Sequence, residues 1–329
     1  MEVSEVEHHT RIAIPEWAEA DLSFRPIEKG GSGRLFVRVT NPQDGQSVIA
    51  MHYSDDRSDN ARFASITDFL NRHDIAAPGI LARREELSLL WVTDLGEIDL
   101  GTLVGQDWET ERRPAYESAL RVVHTLHSIK ESDAPDDLPE LELSFDEALY
   151  EWEQQYFAKH FLAELPHSPG SSFLAAPEMV ALRRDLAKLP RALVHRDFQS
   201  TNVMLQGNDA FLIDYQGLRW GLPEYDLASL IYDPYTDFTP EQQSSLIDFY
   251  GTLSGVTNTA EETEAYHRRL HHCAMQRLMQ ALGAYGFLSR VKGKTEFLQH
   301  IPAGTRRLSE IAGGPHGIPL LHDLLVDAS

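Results

Sequence analysis

Cysteine is nearly absent from this sequence, since Cys273 is the only one among 329 residues. A single cysteine cannot form an intramolecular disulfide, which excludes a disulfide-stabilised scaffold and favours a reducing compartment. Cys273 lies in an apolar stretch of helical periodicity, where free cysteine usually behaves as a small buried hydrophobe. We therefore do not expect it to be a nucleophile.

Long apolar runs and positive charge are also scarce. No run approaches the roughly 18 apolar residues of a membrane-spanning helix, and the acidic N-terminal segment lacks the apolar core of a secretory signal. The 29 basic and 51 acidic residues give a net charge of −22, which repels nucleic acid and anionic membranes. We expect a cytoplasmic protein whose partner is a small-molecule substrate rather than nucleic acid or a membrane.

The first ninety-odd residues contain short segments rich in β-branched and aromatic residues, separated by turn residues. These segments are 22–28, 35–40, 47–53 and 87–93. One helical pattern lies between the third and the fourth, with Ser58 or Asp59 as its cap and Phe63, Ile66 and Leu70 at helical spacing. The pattern predicts a small sheet with a single helix.

Helical periodicity dominates from about residue 95 onward. The helical segments are 116–129, 145–162, 178–189, 240–253 and 262–289. In the exception, 192–215, short apolar runs alternate with polar loop residues. We expect an α+β fold of two lobes, in which residues 1–94 form a small β-rich lobe and residues 95–329 form a larger helical lobe.

The segment 192–215 contains the residues that indicate a catalysed reaction. Residues 195–202 read HRDFQSTN, so Asn202 follows Asp197 by five positions, and Asp214 follows a short apolar run. Phosphoryl transfer needs one carboxylate to orient and deprotonate the acceptor hydroxyl, together with oxygen ligands for Mg²⁺. In the kinase pattern the first Asp is the base, while the Asn and the second Asp bind the metal. The pattern predicts an ATP- and Mg²⁺-dependent kinase with a protein-kinase-like fold.

The neighbours of Asp197 have different expected roles. We interpret His195 and Arg196 as structural residues of the catalytic loop, and Gln199 and Ser200 as residues close enough to contact substrate or phosphate. Asp226 stands at the start of another apolar-periodic stretch. We interpret it as a helix cap that also holds the catalytic loop, rather than as a metal ligand.

A glycine-rich segment precedes the second predicted strand, where Gly30, Gly31, Ser32 and Gly33 are followed by Arg34. Glycines let backbone N–H groups approach phosphates closely. The segment does not match the dinucleotide fingerprint, because it lacks the third glycine and a strand rather than a helix follows. We predict that this hairpin covers the phosphates of a nucleotide.

The predicted hinge between the lobes lies where strand content gives way to helix, at Thr93-Asp94-Leu95-Gly96. Backbone groups of Asp94 and Leu95 are the expected contacts for adenine.

Together these motifs resemble the aminoglycoside phosphotransferase and choline kinase superfamily, and most of all its bacterial cell-wall sugar kinases. The likeness extends from about Gly30 to Phe287. It implies ATP-dependent phosphorylation of an amino sugar, such as N-acetylmuramate or N-acetylglucosamine, in cell-wall recycling. Two alternatives stay open: a kinase for aminoglycosides, choline or another amino alcohol, and a nucleotide-binding pseudokinase without catalysis.

One departure from the family bears on the last alternative. Members typically carry a lysine on the third strand that pairs with a helix glutamate and holds the phosphates, but here Met51 occupies that place and residues 59–73 contain no glutamate. Lys29, Arg34 and Arg38 are the alternative sources of positive charge, and His52 is a weaker one. Against a pseudokinase, the catalytic and metal-binding positions are all retained.

Candidate acceptor contacts come from two helical segments. Trp152 and Tyr156 belong to an aromatic and polar helix and could stack on a sugar ring, although packing in a helical core is the simpler interpretation. Arg277 belongs to the only basic concentration of the C-terminal region, which would suit an acidic sugar. The pairs His8-His9 and His271-His272 lack metal-ligand spacing, and we do not interpret them as metal sites.

Overall fold

The computed structural model describes residues 1–27, 34–53, 62–165, 168, 170 and 172–326. In the N-terminal part, five antiparallel strands form one sheet in the order β1-β2-β3-β5-β4. The strands are β1 (Ser23–Pro26), β2 (Leu35–Thr40), β3 (Ser47–His52), β4 (Ile80–Arg84) and β5 (Leu89–Thr93). Four of them match predicted segments, whereas β4 was not predicted. Its Arg83 and Arg84 give it the charged character of an edge strand, which is easily mistaken for a loop.

The two faces of this sheet are covered by different helices. Helix α1 (Val3–Ala13), which the sequence did not predict, packs Val6 against the apolar cluster of one face. There Trp91 Nε1 donates a hydrogen bond to Thr10 Oγ1 at 2.9 Å. Helix α2 (Phe63–Arg72) packs against the other face, which contains Met51. The predicted caps of this helix, Ser58 and Asp59, lie outside the described residues.

Helices dominate the larger, C-terminal part. They are α3 (Arg113–His127), α4 (Glu147–His160), the single turn α5 (Ser172–Ala175), α6 (Pro177–Ala187), α7 (Pro223–Ile231), α8 (Pro240–Ser254), α9 (Ala260–Arg290), α10 (Ile301–Ala312) and α11 (Pro319–Val326). The five predicted helices agree with α3, α4, α6, α8 and α9 to within about three residues, while α10 and α11 were missed.

The 31-residue helix α9 lies at the centre of this part and packs against α4, α7 and α10. Its start is fixed by a capping box, in which Thr259 and Glu262 exchange hydrogen bonds with each other's backbone N–H. Within the residues that the structure describes, no helix combines the length and the apolar character that a bilayer crossing demands.

Two short antiparallel strand pairs interrupt the helices and contain most of the polar segment 192–215. Strand β6 (Ala192–Val194) pairs with β9 (Arg219–Gly221), and β7 (Val203–Gln206) pairs with β8 (Asp209–Leu212). Residues 195–202 and 213–218 are therefore loops that leave the same small sheets. The architecture confirms the predicted α+β class with an N-terminal sheet and a larger helical part, and a lobe boundary at residues 94 and 95 stays a prediction.

Candidate active site

The β7–β8 pair brings the predicted catalytic and metal-binding residues together. Because Val203 lies opposite Leu212, the residues just outside the pair, Asn202 and Ile213, meet at its open end. Ile213 N donates to Asn202 O at 3.0 Å, and Asn202 Nδ2 donates to Asp197 O at 2.9 Å. Asp197, Asn202 and Asp214 thus belong to one site, although 17 positions separate the first from the last.

Two guanidinium groups hold the Asp197 carboxylate. Arg196 Nη1 donates to Oδ2 at 2.8 Å, and Arg277 Nη2 donates to Oδ1 at 3.0 Å. Burial opposes the charged form of Asp197, but the charges of Arg196 and Arg277 outweigh it and hold the pKa of this carboxyl below its usual range. Asp197 is therefore ionised at neutral pH and fixed in orientation, as a carboxylate that receives an acceptor hydroxyl must be.

Arg277, which was predicted to contact the acceptor, lies against Asp197. It is almost fully buried on α9. Besides Asp197, it donates to Ser229 Oγ at 3.1 Å from Nε and to Gln280 Oε1 from Nη1. With these donors directed at protein groups, Arg277 fixes the orientation of the Asp197 carboxylate, and its contact with an acceptor stays a prediction.

The backbone of the catalytic loop is anchored by Asp226, which is fully buried in the first turn of α7. Its Oδ2 accepts from His195 N at 2.6 Å and its Oδ1 from Arg196 N at 2.8 Å. Arg196 has φ of +76°, a left-handed conformation that costs a non-glycine residue about 1–2 kcal/mol. The hydrogen bonds that the backbone N–H groups of His195 and Arg196 donate to the charged Asp226 carboxylate offset that cost.

These contacts confirm that Asp226 holds the loop, but α7 begins at Pro223, so Asp226 is not its cap. His127 Nε2 lies 3.0 Å from the same Oδ2, and its Nδ1 lies 2.6 Å from the Tyr250 hydroxyl. His195 has the structural role expected of it, since its Nε2 lies 2.9 Å from Ile213 O. The catalytic loop and the metal-binding loop are thereby tied to each other.

A second buried carboxylate, Asp233, was missed by sequence reasoning. It accepts hydrogen bonds from Ser200 N (3.3 Å), Ser200 Oγ (3.2 Å) and Tyr235 N (3.1 Å). Ser200, expected near substrate or phosphate, therefore directs its hydroxyl at Asp233. The available signal was spacing, because Asp226 lies in the first turn of the short apolar helix α7 and Asp233 lies two residues beyond its end.

The Asp233 carboxyl should make stability depend on pH. Burial raises its pKa from 3.8 to about 6, so the folded protein retains a proton that the unfolded chain releases above pH 4. The stability contributed by the protonated form is complete below pH 4 and is lost as pH rises through 6. The loss amounts to about 3 kcal/mol at 1.36 kcal/mol per pKa unit. In urea titrations, the stability of the wild type relative to Asp233→Asn should fall by this amount between pH 4 and pH 7. A difference independent of pH would contradict the assignment.

Asp214 presents a carboxylate to the same site from a strained backbone. Its φ is +60°, and about half of its side-chain surface is exposed. Oδ1 accepts from Gln216 Nε2 at 2.7 Å and from Arg34 Nη1 at 3.4 Å. Because Asn202 uses its Nδ2 on Asp197 O, its Oδ1 is the atom available to a cation. Mg²⁺ is commonly held by few protein oxygens together with substrate phosphates, so Asn202 and Asp214 suit this ion.

The residue after Asp214 links the site to α2. The Tyr215 ring stacks on Phe63 with a centroid distance of 5.3 Å, and its hydroxyl lies 2.7 Å from Thr67 Oγ1. Met51 is buried in the apolar cluster that includes Phe63 and offers no charge. An aromatic stack and a hydroxyl pair thus connect α2 to the loop that carries Asp214.

The basic residues proposed to replace that lysine differ in their surroundings. Arg38 donates to both Asp94 oxygens, at 2.6 and 2.9 Å, and to Gly96 O at 2.7 Å, so it stabilises the hinge. Arg34 is nearly buried and points at Asp214. Lys29, Gly30, Gly31, Ser32 and Gly33 lie outside the described residues. Of the basic candidates in the described part, Arg34 is the one directed at Asp214, the carboxylate predicted to bind the metal.

The remaining predicted contacts occupy the hinge, the catalytic loop and α4. Asp94 O accepts from Gln206 Nε2 at 3.2 Å, and Leu95 is buried. Gln199, half-buried, follows Asp197 by two positions. Trp152 is half exposed and stacks on Tyr156 at 5.1 Å, and Tyr156 in turn contacts Phe287 of α9. Trp152 and Tyr156 therefore form a partly open strip, whereas Tyr150 and Phe157 of the same helix are buried in the core.

A carboxylate held by arginines, a pair of oxygen ligands at a hairpin end, and an N-terminal antiparallel sheet define a phosphotransferase of protein-kinase-like fold. The sequence model of the phosphotransferase enzyme family, APH, matches residues 23–271, and the chain belongs to this family. Membership confirms the predicted small-molecule phosphotransferase class.

Two curated relatives extend the comparison over most of the chain. The N-acetylmuramate/N-acetylglucosamine kinase of Neisseria meningitidis serogroup B is 23% identical over 311 residues, which cover 93% of this chain and 90% of the relative. The kinase of the same name from Pseudomonas putida is 24% identical over 322 residues, 94% of this chain and 87% of the relative.

Solved structures show the same fold at low sequence identity. A choline/ethanolamine kinase family protein from Mesorhizobium loti has a TM-score of 0.64 and 14% identity, with both chains covered in full. The complex of APH(2″)-IIa with streptomycin and ATP has a TM-score of 0.59 and 15% identity, covering 91% of this chain and 97% of the other.

Proposed function

We propose that this protein is an ATP-dependent kinase that phosphorylates a hydroxyl of an amino sugar of the N-acetylmuramate and N-acetylglucosamine class, in cytoplasmic cell-wall recycling. The single observation that carries the proposal is the convergence of Asp197, Asn202 and Asp214 at the open end of the β7–β8 pair. The relatives that match nearly the whole chain supply the acceptor class.

Each residue of the site has a proposed role in the transfer. Asp197 orients the acceptor hydroxyl and accepts its proton as the new oxygen–phosphorus bond forms and the bond from the γ-phosphorus to the β–γ bridging oxygen of ATP breaks. Asn202 and Asp214 would hold Mg²⁺, which supplies positive charge to the phosphates when bound. The Gly30–Gly33 segment and Arg34 would cover the phosphates, and the backbone of Asp94 and Leu95 would contact adenine.

Acceptor contacts are proposed on the catalytic loop and on α4. Gln199 follows Asp197 closely enough to bind a hydroxyl of the sugar, and the partly open strip of Trp152 and Tyr156 offers aromatic faces.

Arg34 is the proposed substitute for the missing lysine. Replacing Arg34 with Met should raise the KM for ATP by about ten- to a hundredfold, because a charged hydrogen bond to phosphate contributes about 1.5–3 kcal/mol. Affinity for adenosine, which carries no phosphate, should not change. Arg25→Met is the matched control, since Arg25 is an exposed sheet residue paired with Glu97. If the substitution weakened ATP and adenosine binding equally, or weakened neither, Arg34 would not be a phosphate contact.

The activity itself is tested with a panel of acceptors. The full-length protein is incubated with ATP and Mg²⁺ and, separately, with N-acetylmuramate, N-acetylglucosamine, choline, ethanolamine and aminoglycosides, and ³¹P NMR identifies the products. Phosphorylation of the N-acetylated sugars with the highest kcat/KM supports the proposal. Preference for choline or an aminoglycoside would replace it with the amino-alcohol alternative, and the absence of any ATP turnover would favour a pseudokinase.

A further inference from the structure

A surface pocket lies where the end of α7 meets α8, α9 and α10, and its lining residues have no role in the scheme above. Tyr232 follows α7, Gln243 belongs to α8, and His271 belongs to the first half of α9. Arg307 and Glu310 line it from α10. Four separate elements thus bring five polar side chains to one place.

Arg307 is a half-buried cation without a carboxylate partner. Its Nη1 lies 3.4 Å from Thr236 Oγ1, and its Nη2 donates to Thr236 O. Among the residues that the structure describes, no carboxylate oxygen lies within 4.0 Å of its side-chain nitrogens. Asp237, whose charge acts on Arg307, is paired with Arg112 at 2.5 Å. Burial lowers the pKa of Arg307, which reflects the cost of removing a charge from water, and an anion from solution would offset that cost.

Three neutral donors accompany this charge. Burial raises the pKa of Tyr232 to about 12 and lowers that of His271 to about 4, so both side chains are uncharged at neutral pH and each carries a donor. The His271 ring packs on His316 at 5.4 Å, and its Nδ1 has no hydrogen-bond partner. Within the described ranges, the side chains of Tyr232 and Gln243 also make no hydrogen bond. Because polar groups away from bulk water are normally paired, three such groups around one pocket indicate a polar ligand.

Glu310 is the acidic member of the pocket, and it sets the balance of charge there. It follows Arg307 by three positions on α10 and is exposed, whereas Arg307 is half-buried. Solvent screens an exposed charge more strongly than a buried one. The positive charge of Arg307 therefore dominates, and the pocket favours a ligand with a negatively charged group.

We propose that this pocket binds a phosphate group, either free or in a small monoester. A guanidinium binds phosphate through paired N–H groups, so Arg307 would supply both charge and geometry. Tyr232, Gln243 and His271 would donate further hydrogen bonds to the phosphate oxygens. In the described part of the chain, none of the pocket residues makes a hydrogen bond or an ion pair with the residues proposed for catalysis and metal binding, so this site is separate from the phosphotransfer site.

Isothermal titration calorimetry of the full-length protein with inorganic phosphate tests the site, at fixed ionic strength and without nucleotide or Mg²⁺. Arg307→Met should weaken phosphate binding by about tenfold or more, because hydrogen bonds to charged groups are among the strongest in proteins. Glu310→Gln should tighten it by about two- to fivefold, because the variant removes a nearby negative charge. Glycerol 3-phosphate is titrated in parallel, and the tighter ligand shows whether the site prefers the free ion or a monoester.

Two control variants separate this pocket from other positive charge on the protein. Arg306→Met makes the same change of net charge at the exposed neighbour on α10 and should leave phosphate affinity within twofold of the wild type. Arg34→Met removes the phosphate contact proposed in the active site and should preserve the binding that depends on Arg307.

Because Arg307 also holds Thr236, thermal melting checks that the Arg307→Met variant is folded. Gln243→Ala provides an independent test, since it removes no hydrogen bond to another described residue, and phosphate affinity should still fall several-fold. The proposal is overturned if the wild type binds no phosphate, if Arg306→Met and Arg307→Met weaken binding equally, or if only Arg34→Met abolishes it.

Discussion

Replacing Asp197 with Asn is expected to lower kcat by about 10²–10⁴-fold, the usual contribution of a positioned general base. Asparagine keeps the size of the side chain but cannot take the proton of the acceptor hydroxyl. It also gives up the charge that Arg196 and Arg277 hold in place. Single-turnover assays with Mg²⁺–ATP and N-acetylglucosamine measure the transfer step itself.

Nucleotide binding provides the internal control for this variant. Asp197 is not among the residues proposed to hold the metal or the phosphates, so the affinity for Mg²⁺–ATP should stay within a few-fold of the wild type. Asp185→Asn, at an exposed aspartate of α6, controls for the change of net charge and should be fully active. If the Asp197→Asn variant turned over substrate as fast as the wild type, Asp197 would not be the catalytic base.

Asp226→Asn should damage both the fold and the activity. The carboxylate accepts from the backbone N–H groups of His195 and Arg196 and from His127, entirely away from solvent. In asparagine, an NH₂ group replaces one of the two acceptor oxygens. That NH₂ group would then face an N–H donor, and neither could accept a hydrogen bond from the other. Removing one partner from a buried charged network typically costs 3–5 kcal/mol, and we expect the free energy of unfolding to fall by about 3 kcal/mol. Arg196 should lose its left-handed backbone conformation, which would displace the neighbouring Asp197, so kcat should fall at least a hundredfold.

The matched control is an exposed aspartate that also accepts a hydrogen bond from a backbone N–H group. Asp146 caps α4 by accepting from Leu149 N at 2.8 Å, and asparagine is an equally good cap. Asp146→Asn should therefore change neither stability nor kcat measurably. If Asp226→Asn melts like the wild type and retains its kcat, the anchoring role of Asp226 is wrong.

The parts of this site that follow from local sequence were the parts that could be predicted. The spacing of Asp197 and Asn202 lies within one loop, and Asp214 follows a strand that pairs with the strand after Asn202. The chemistry of phosphoryl transfer names these residue types, so one short segment contains most of the information.

What could not be predicted depends on contacts between distant segments. Arg277 is 80 residues from Asp197, and its basic neighbours suggested a surface patch rather than a buried partner of the catalytic carboxylate. The role of Asp233 depends on the fold, because only the position of α7 brings its carboxylate within hydrogen-bonding distance of Ser200. Helix α1 was missed because nothing in its composition reveals the sheet face against which Val6 packs, and tertiary packing rather than propensity stabilises such a helix.

Tyr215 joins α2 to the loop that carries Asp214 through ring packing and a pair of hydroxyl groups. In protein kinases an ion pair between a strand lysine and a helix glutamate must be in place for activity, and helix movement that breaks it serves as a switch. Phe63 and Thr67, the residues of α2 in this contact, carry no formal charge. Ionic strength screens charges but not ring packing, so this contact should persist at salt concentrations that weaken an ion pair.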